Sequence, residues 1–278
     1  MPSALQVAYS AAWRRVIHMT KYRANFIGQI ISSVLSLALY ILFVPVMDLN
    51  LIETTTGTRN LAGFMFVGIA FNAYISVALW QTAIFLQSDM ELGKLEWAFT
   101  CPISRYSYIV GNAIGVAFTQ TLFFIPMFLF ALLFVGFTFS IFDLILALSA
   151  AILCIAALVQ LGAMFSSLVL RYRKVNSIFG VFDLIFRFIG GAYVPVQTFP
   201  FLLQAVAMLI PTAFGIDLLR VYLLHTTPIL AVFVQDAGLA ILLEWLILIV
   251  ELVLFYVLAK IAIAQGEKAG MREGFYYL

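Results

Sequence analysis

Four ionisable residues, Asp183, Arg187, Glu244 and Glu251, fall inside long apolar stretches. Placing an Asp, Lys or Arg at the centre of a membrane helix costs about 2.5 to 3.5 kcal/mol on insertion scales. Asp183 and Arg187 are four residues apart and share a helix face. Either they neutralise each other so that their segment inserts, or they sit at a subunit interface or on a path. Glu244 and Glu251, seven apart, also share a face, which must turn toward protein or water. Packing with one or both protonated and lining a path both remain open for them. The chemistry that is missing narrows the field further. No G-x-x-x-x-G-K-[ST] phosphate loop and no G-x-S-x-G elbow occurs, so the chain carries no ATP-hydrolysing site and no catalytic residue is assigned. His18 and His225 are expected on opposite sides of the membrane and cannot share a metal. Cys101 and Cys154 are too few for a disulfide framework and are expected as free thiols.

The elements that hold these residues follow from composition. Of 278 residues, 64% are hydrophobic and 10% charged, against roughly a quarter charged in an average soluble domain. Fifteen basic and thirteen acidic side chains cannot cover a water-soluble surface of this size, so the solvent is a bilayer. A net charge of +2 is too small to argue for nucleic acid. About 20 apolar helical residues cross a hydrocarbon core, and six runs qualify: 26 to 47, 61 to 86, 108 to 137, 144 to 170, 177 to 196 and 239 to 263. The expected fold class is an all-α polytopic membrane protein with six transmembrane helices, forming a single transmembrane domain over 1–278.

Sidedness follows from Lys and Arg, whose excess marks the cytoplasm. One side takes Arg14, Arg15, Lys21, Arg23, Lys94, Arg105, Arg171, Arg173, Lys174, Lys260, Lys268 and Arg272, twelve of the fifteen. Only Arg59 and Arg220 fall in opposite loops, so both termini, including the tail 266–278, are expected in the cytoplasm. The basic start of the chain has no small-residue cleavage site and is expected to stay attached. Pro200, Pro211 and Pro228 cut 197–228 into pieces too short to cross alone. A re-entrant or interfacial hairpin on the outer side is expected there, the alternative being a kinked seventh span.

Two segments outside the spans are amphipathic. In residues 1–25, Gln6, Ser10, Arg14, His18 and Lys21 recur at helical spacing, while Leu5, Tyr9, Trp13, Val16 and Thr20 line another face. This interfacial helix would offer Arg14, Arg15, Lys21 and Arg23 to anionic lipid, with Trp13 at headgroup depth, as a moving part or as a plain anchor. In 89–105, Leu92, Leu95 and Phe99 repeat at helical spacing, Glu91, Lys94 and Glu96 project elsewhere, and Pro102 opposes continuation. A short helix across the inner mouth is expected. Composition alone favours a passive loop resting on lipid.

Glu91, Gly93, Leu95, Glu96, Pro102, Ile103, Ser104 and Arg105 resemble the E-x-G-x-L-E and P-I-S-R pattern of permease subunits of type-2 ABC exporters. Pro211, Thr212, Asp217, Leu219 and Arg220 are similar to that family's P-T and D-x-L-R pattern, and the N-terminal helix is similar to its elbow helix. Lys94, Trp97 and Phe99 depart from the pattern. The resemblance spans nearly the whole chain. It implies that 89–100 is a coupling helix docking on an ATPase, with Glu91, Gly93, Lys94, Leu95, Glu96, Trp97 and Arg105 at or beside the contact. It implies a half-transporter that pairs with a second permease copy or paralogue and with two ABC ATPase subunits, which would hold ATP and Mg. Cofactors in this chain itself are none. The expected function is ATP-driven export of an amphipathic or lipid-like substrate from the cell membrane. The alternative is an ion-coupled secondary transporter or channel using Asp183, Glu244 and Glu251.

Overall fold

The computed structural model describes residues 4–21, 23–43, 53–54, 56–76, 80–95, 101, 104–137, 139–172, 176–234 and 236–273. Among the described residues ten α-helices are given bounds: α1 (Ala4–Lys21), α2 (Arg23–Phe43), α3 (Leu61–Ser76), α4 (Thr82–Glu91), α5 (Arg105–Phe134), α6 (Ile141–Tyr172), α7 (Asn176–Ile189), α8 (Phe201–Ala207), α9 (Pro211–Leu224) and α10 (Ala237–Glu273). Among the described residues no strand is present. Single 3₁₀ turns at Val196–Thr198 and Ile229–Val232 flank α8 and α9.

Helix ends follow local chemistry. Ser104 caps α5 by accepting from the Ser107 amide at 3.4 Å, satisfying one of the orphan donors of a helix start. At α6, Ser140 Oγ accepts from the Asp143 amide while Asp143 Oδ2 accepts from the Ser140 amide at 2.9 Å, a reciprocal capping box. Pro211 opens α9 at a position where its missing N–H is no loss. His225 ends α9 in the left-handed conformation.

Three helices among the described residues are long and apolar enough to cross a bilayer: α5 over Arg105–Leu133, α6, and α10 over Ala237–Lys268. The pair α8 and α9 passes the same test jointly but is bent by 90°. That makes three to four candidate crossings. The run expected at 177 to 196 is shorter as a helix, and that expected at 61 to 86 is described only in part. Residues 77–79 lie outside the described ones, and helical backbone continues from Trp80 into α4, whereas α7 stops at Ile189, where Gly190 and Gly191 turn the chain.

α6 is the centre. It packs along α10, α9, α4 and α5, while α1 lies along α5 and α3 runs beside α9. The α1–α5 contact is close because Gly111 has no Cβ: one there would fall 2.4 Å from Ala8 Cα. Val7 and Ala11 are buried in it, whereas Tyr9 and Trp13 stack on each other, outward, with centroids 6.3 Å apart. Phenylalanines fill the wider gaps. Phe66 meets Phe124, Phe128 and Phe137 at 5.6 to 6.1 Å, and Phe165 meets Phe182 at 4.8 Å, within the range of favourable offset or edge contacts. Ile27, Ile31, Leu35 and Leu39 form an exposed stripe on α2, as expected where lipid replaces water.

Candidate functional site

The polar side chains gather in three places. The first lies where α1, the end of α4 and the start of α5 meet. Asp89 is buried at the tail of α4, 3.9 Å from Arg14 Nη2, and accepts from the Tyr108 hydroxyl. The Arg14 guanidinium rests 5.3 Å from the Phe85 ring centroid and 5.9 Å from that of Tyr108, a cation–π arrangement. Nearby, Arg105 at the head of α5 forms an ion pair with Glu267 on α10. Lys260 lies 4.4 Å above the Tyr256 ring.

The segment expected as a helix over 89–100 divides at Gly93. α4 ends at Glu91, and Gly93, with φ +68°, donates its N–H to Met90 O. Asp89 therefore belongs to the helix before the break. Lys94 and Leu95 are helical again, Lys94 exposed and Leu95 buried. Exposed Glu91 accepts from Gln87 Nε2 at 2.8 Å. Glu96, Trp97, Phe99, Pro102, Ile103, Arg173 and Lys174 lie outside the described residues, as do the side chains of Arg15, His18, Arg23 and Arg272. Lys21 is exposed.

The second place surrounds α9, which is buried at every residue except Tyr222. Arg220 donates from Nη1 to Gly191 O at 2.8 Å, and from Nη2 to Ala192 O at 3.0 Å and Phe64 O at 3.1 Å. Its Cζ lies 3.4 Å from the Phe64 ring centroid. Such proximity requires Gly68, where a Cβ would stand 1.7 Å from Ala192 O. One turn earlier on α9, Asp217 accepts the Ile229 N–H at 2.8 Å, and Glu244 on α10 accepts the Leu230 N–H at 3.0 Å. The Asp217 and Glu244 carboxyl groups also meet each other. Pro211, matched with these in the sequence pattern, opens α9 with its carbonyl accepting from Cys154 Sγ at 3.4 Å. Glu251, two turns along α10, has both carboxylate oxygens buried without a partner among the described residues. Glu244 and Glu251 thus turn inward, but only Glu244 is tied to the α9 cluster.

The third place holds the expected pair on α7. Arg187 Nε donates to Asp183 Oδ2 at 2.7 Å, and Arg187 Nη2 donates to Ser76 Oγ on α3. The pair is self-neutralising, and it also pins α7 to α3.

Asp89, Tyr108, Ser76 and Asn72 were not among the expected site residues. An isolated polar side chain in an apolar helix was the available signal for Asn72 and Ser76. For Tyr108 there was none, since tyrosine is ordinary near a helix end.

A chain that is helical and without strands among the described residues, with three to four helices apolar enough to span, defines an integral membrane protein. The family model for the ABC-2 type transporter matches residues 7–224, and the chain belongs to that family. It is a permease component of an ABC transporter, a transport part and not a catalytic one, and the family implies an ABC ATPase partner. No curated protein matches the chain.

Proposed function

We propose that this permease is one half of an ATP-driven exporter with six crossings and both termini in the cytoplasm. Residues 1–25 form the elbow helix on the inner leaflet of the cell membrane. Residues 89–105 dock on the ATPase, 197–228 are the outer hairpin, and 266–278 return to the cytoplasm. Two ATPase copies, which carry ATP and Mg, and a second permease copy or paralogue complete the machine. Its cargo is amphipathic or lipid-like and enters from the cytoplasm or inner leaflet.

One observation carries the reading: Asp89, in the last turn of α4 before the 92–105 segment, joins Arg14 of α1 to Tyr108 of α5. A push on that segment by the closing ATPase pair reaches the elbow helix and α5 through a single buried carboxylate. Differential contacts in two arrangements of the helices then supply the switch. Exposed Glu91 and Lys94 give the docking surface a charge pattern that selects its partner.

The test is reconstitution with the candidate ATPase. Reversing charge at Glu91 and Glu96 (Glu91→Lys with Glu96→Lys) is expected to lower ATP-driven transport at least tenfold and leave membrane insertion intact. Normal ATP-driven transport by the double variant would sink the docking assignment. The unpartnered oxygens of Glu251 favour a second reading, ion-coupled transport through the inward carboxylates. That reading requires transport under an ion gradient without the ATPase.

A further inference from the structure

Between α2, α3, α5 and the turn after α7 lies a cavity of about 220 Å³. Its polar lining comes from Gln29, Ser32, Asn72, Gln120, Arg187 and Tyr193. Phe123, Phe124 and Met127 make one apolar wall. Gln120 and this wall sit near the middle of α5, at a depth where amides on a lipid-facing surface are strongly disfavoured. Polar groups concentrated there need a use.

Their chemistry narrows the ligand. Asn72 Nδ2 donates to the Tyr193 hydroxyl, while Asn72 Oδ1 is buried with no partner among the described residues. An orphan acceptor calls for a donor, and ionised phosphates and carboxylates only accept, whereas a hydroxyl does both. The charge at the site points the same way. Arg187 is paired with Asp183 at 2.7 Å, so the pair carries no net charge for an anion to balance. Its two bonds use Nε and Nη2, and Nη1, used by neither, can donate to a neutral oxygen. The volume is below the roughly 300 Å³ at which drug-sized pockets begin, which suits a headgroup and leaves an acyl chain to lie over the Phe and Met wall.

We propose that this cavity binds the uncharged, hydroxyl-rich headgroup of the amphiphile that the permease moves, with Asn72 and Gln120 reading its hydroxyls. The inference rests on the exporter reading, and it narrows the cargo to the glycolipid type.

The test uses the full chain in phosphatidylcholine nanodiscs doped with monoglucosyl diacylglycerol or, separately, phosphatidylglycerol, with retained lipid counted by native mass spectrometry. The wild type is expected to retain the glucosyl lipid at least tenfold over the anionic one. Asn72→Leu and Gln120→Leu are each expected to lower that retention at least tenfold with an unchanged melting temperature. Equal retention of both lipids, preference for the anionic lipid, or undiminished retention in a folded variant overturns the proposal. If neither leucine variant folds, wild-type selectivity alone decides. Because no ATPase is present, failure of ATP-driven transport with selective retention intact would remove the exporter reading and leave the site standing.

Discussion

The α9 end of the molecule and the α1–α4 end solve the problem of charge in opposite ways. Around α9, Arg220 and Asp217 are almost fully buried and saturated: one guanidinium serves three carbonyls, and one carboxylate takes a backbone amide. At the other end, Asp89 is buried but its partner Arg14 is about half exposed, at a longer 3.9 Å. Multiple short bonds from a buried cation hold three chain segments in one arrangement, since any displacement orphans several groups together. A half-exposed pair in higher dielectric can separate with water as substitute partner. The first end is built to stay and the second is free to move, which is the division of labour a driven permease needs.

Arg220→Met breaks the comparison at its strongest point. It orphans Phe64, Gly191 and Ala192 carbonyls and strips Asp217 of its counter-charge, so a destabilisation of about 3–5 kcal/mol is expected, the range for breaking a buried pair. Thermal unfolding in detergent micelles measures it, and a loss below about 1 kcal/mol would mean that the α9 end is not saturated as drawn.

Asp217→Ala should have the next effect. With the Ile229 N–H left buried and unbonded, about 1–3 kcal/mol is lost. Hydrogen exchange at the Ile229 amide should accelerate in step, and an unchanged rate contradicts the bond.

Asp89→Asn sharpens the contrast instead. The amide still accepts the Tyr108 hydroxyl but no longer attracts Arg14, so stability should fall by about 1 kcal/mol or less. The ratio of cargo moved to ATP hydrolysed should drop much more than stability does. Equal proportional losses would make Asp89 a packing residue only.

The smallest effect belongs to Arg14→Gln, a half-exposed cation expected to matter by well under 1 kcal/mol. Combined with Asp89→Asn in a double-mutant cycle, the coupling energy should also stay below about 1 kcal/mol. A coupling of several kcal/mol would erase the difference between the two ends.

Much of the fold was legible beforehand, and the reason is local. Apolar runs over 108 to 137, 144 to 170 and 239 to 263 became α5, α6 and α10 because a long hydrophobic stretch is helical wherever backbone groups lack water. The pair Asp183 and Arg187 was legible because four-residue spacing brings side chains together on any helix. The breaks were less so. Run length cannot say that Asp89 belongs to the last turn of α4 and not to the next helix, since the division depends on the φ of Gly93. The motif at Asp217 and Arg220 marked those residues without saying what they hold.

By itself the sequence determined the bilayer as solvent, the absence of an ATP-hydrolysing motif and the family pattern, all of which are sums or short-range spacings along the chain. Only the tertiary structure decided which polar groups meet. Arg220 reaches carbonyls 28, 29 and 156 residues away, and Asn72 meets Tyr193 across 121. Helical periodicity fixes a side chain's direction on its own element, but a partner on another element is set by how closely the backbones approach, and that distance exists only once Gly68 and Gly111 have let the helices pack.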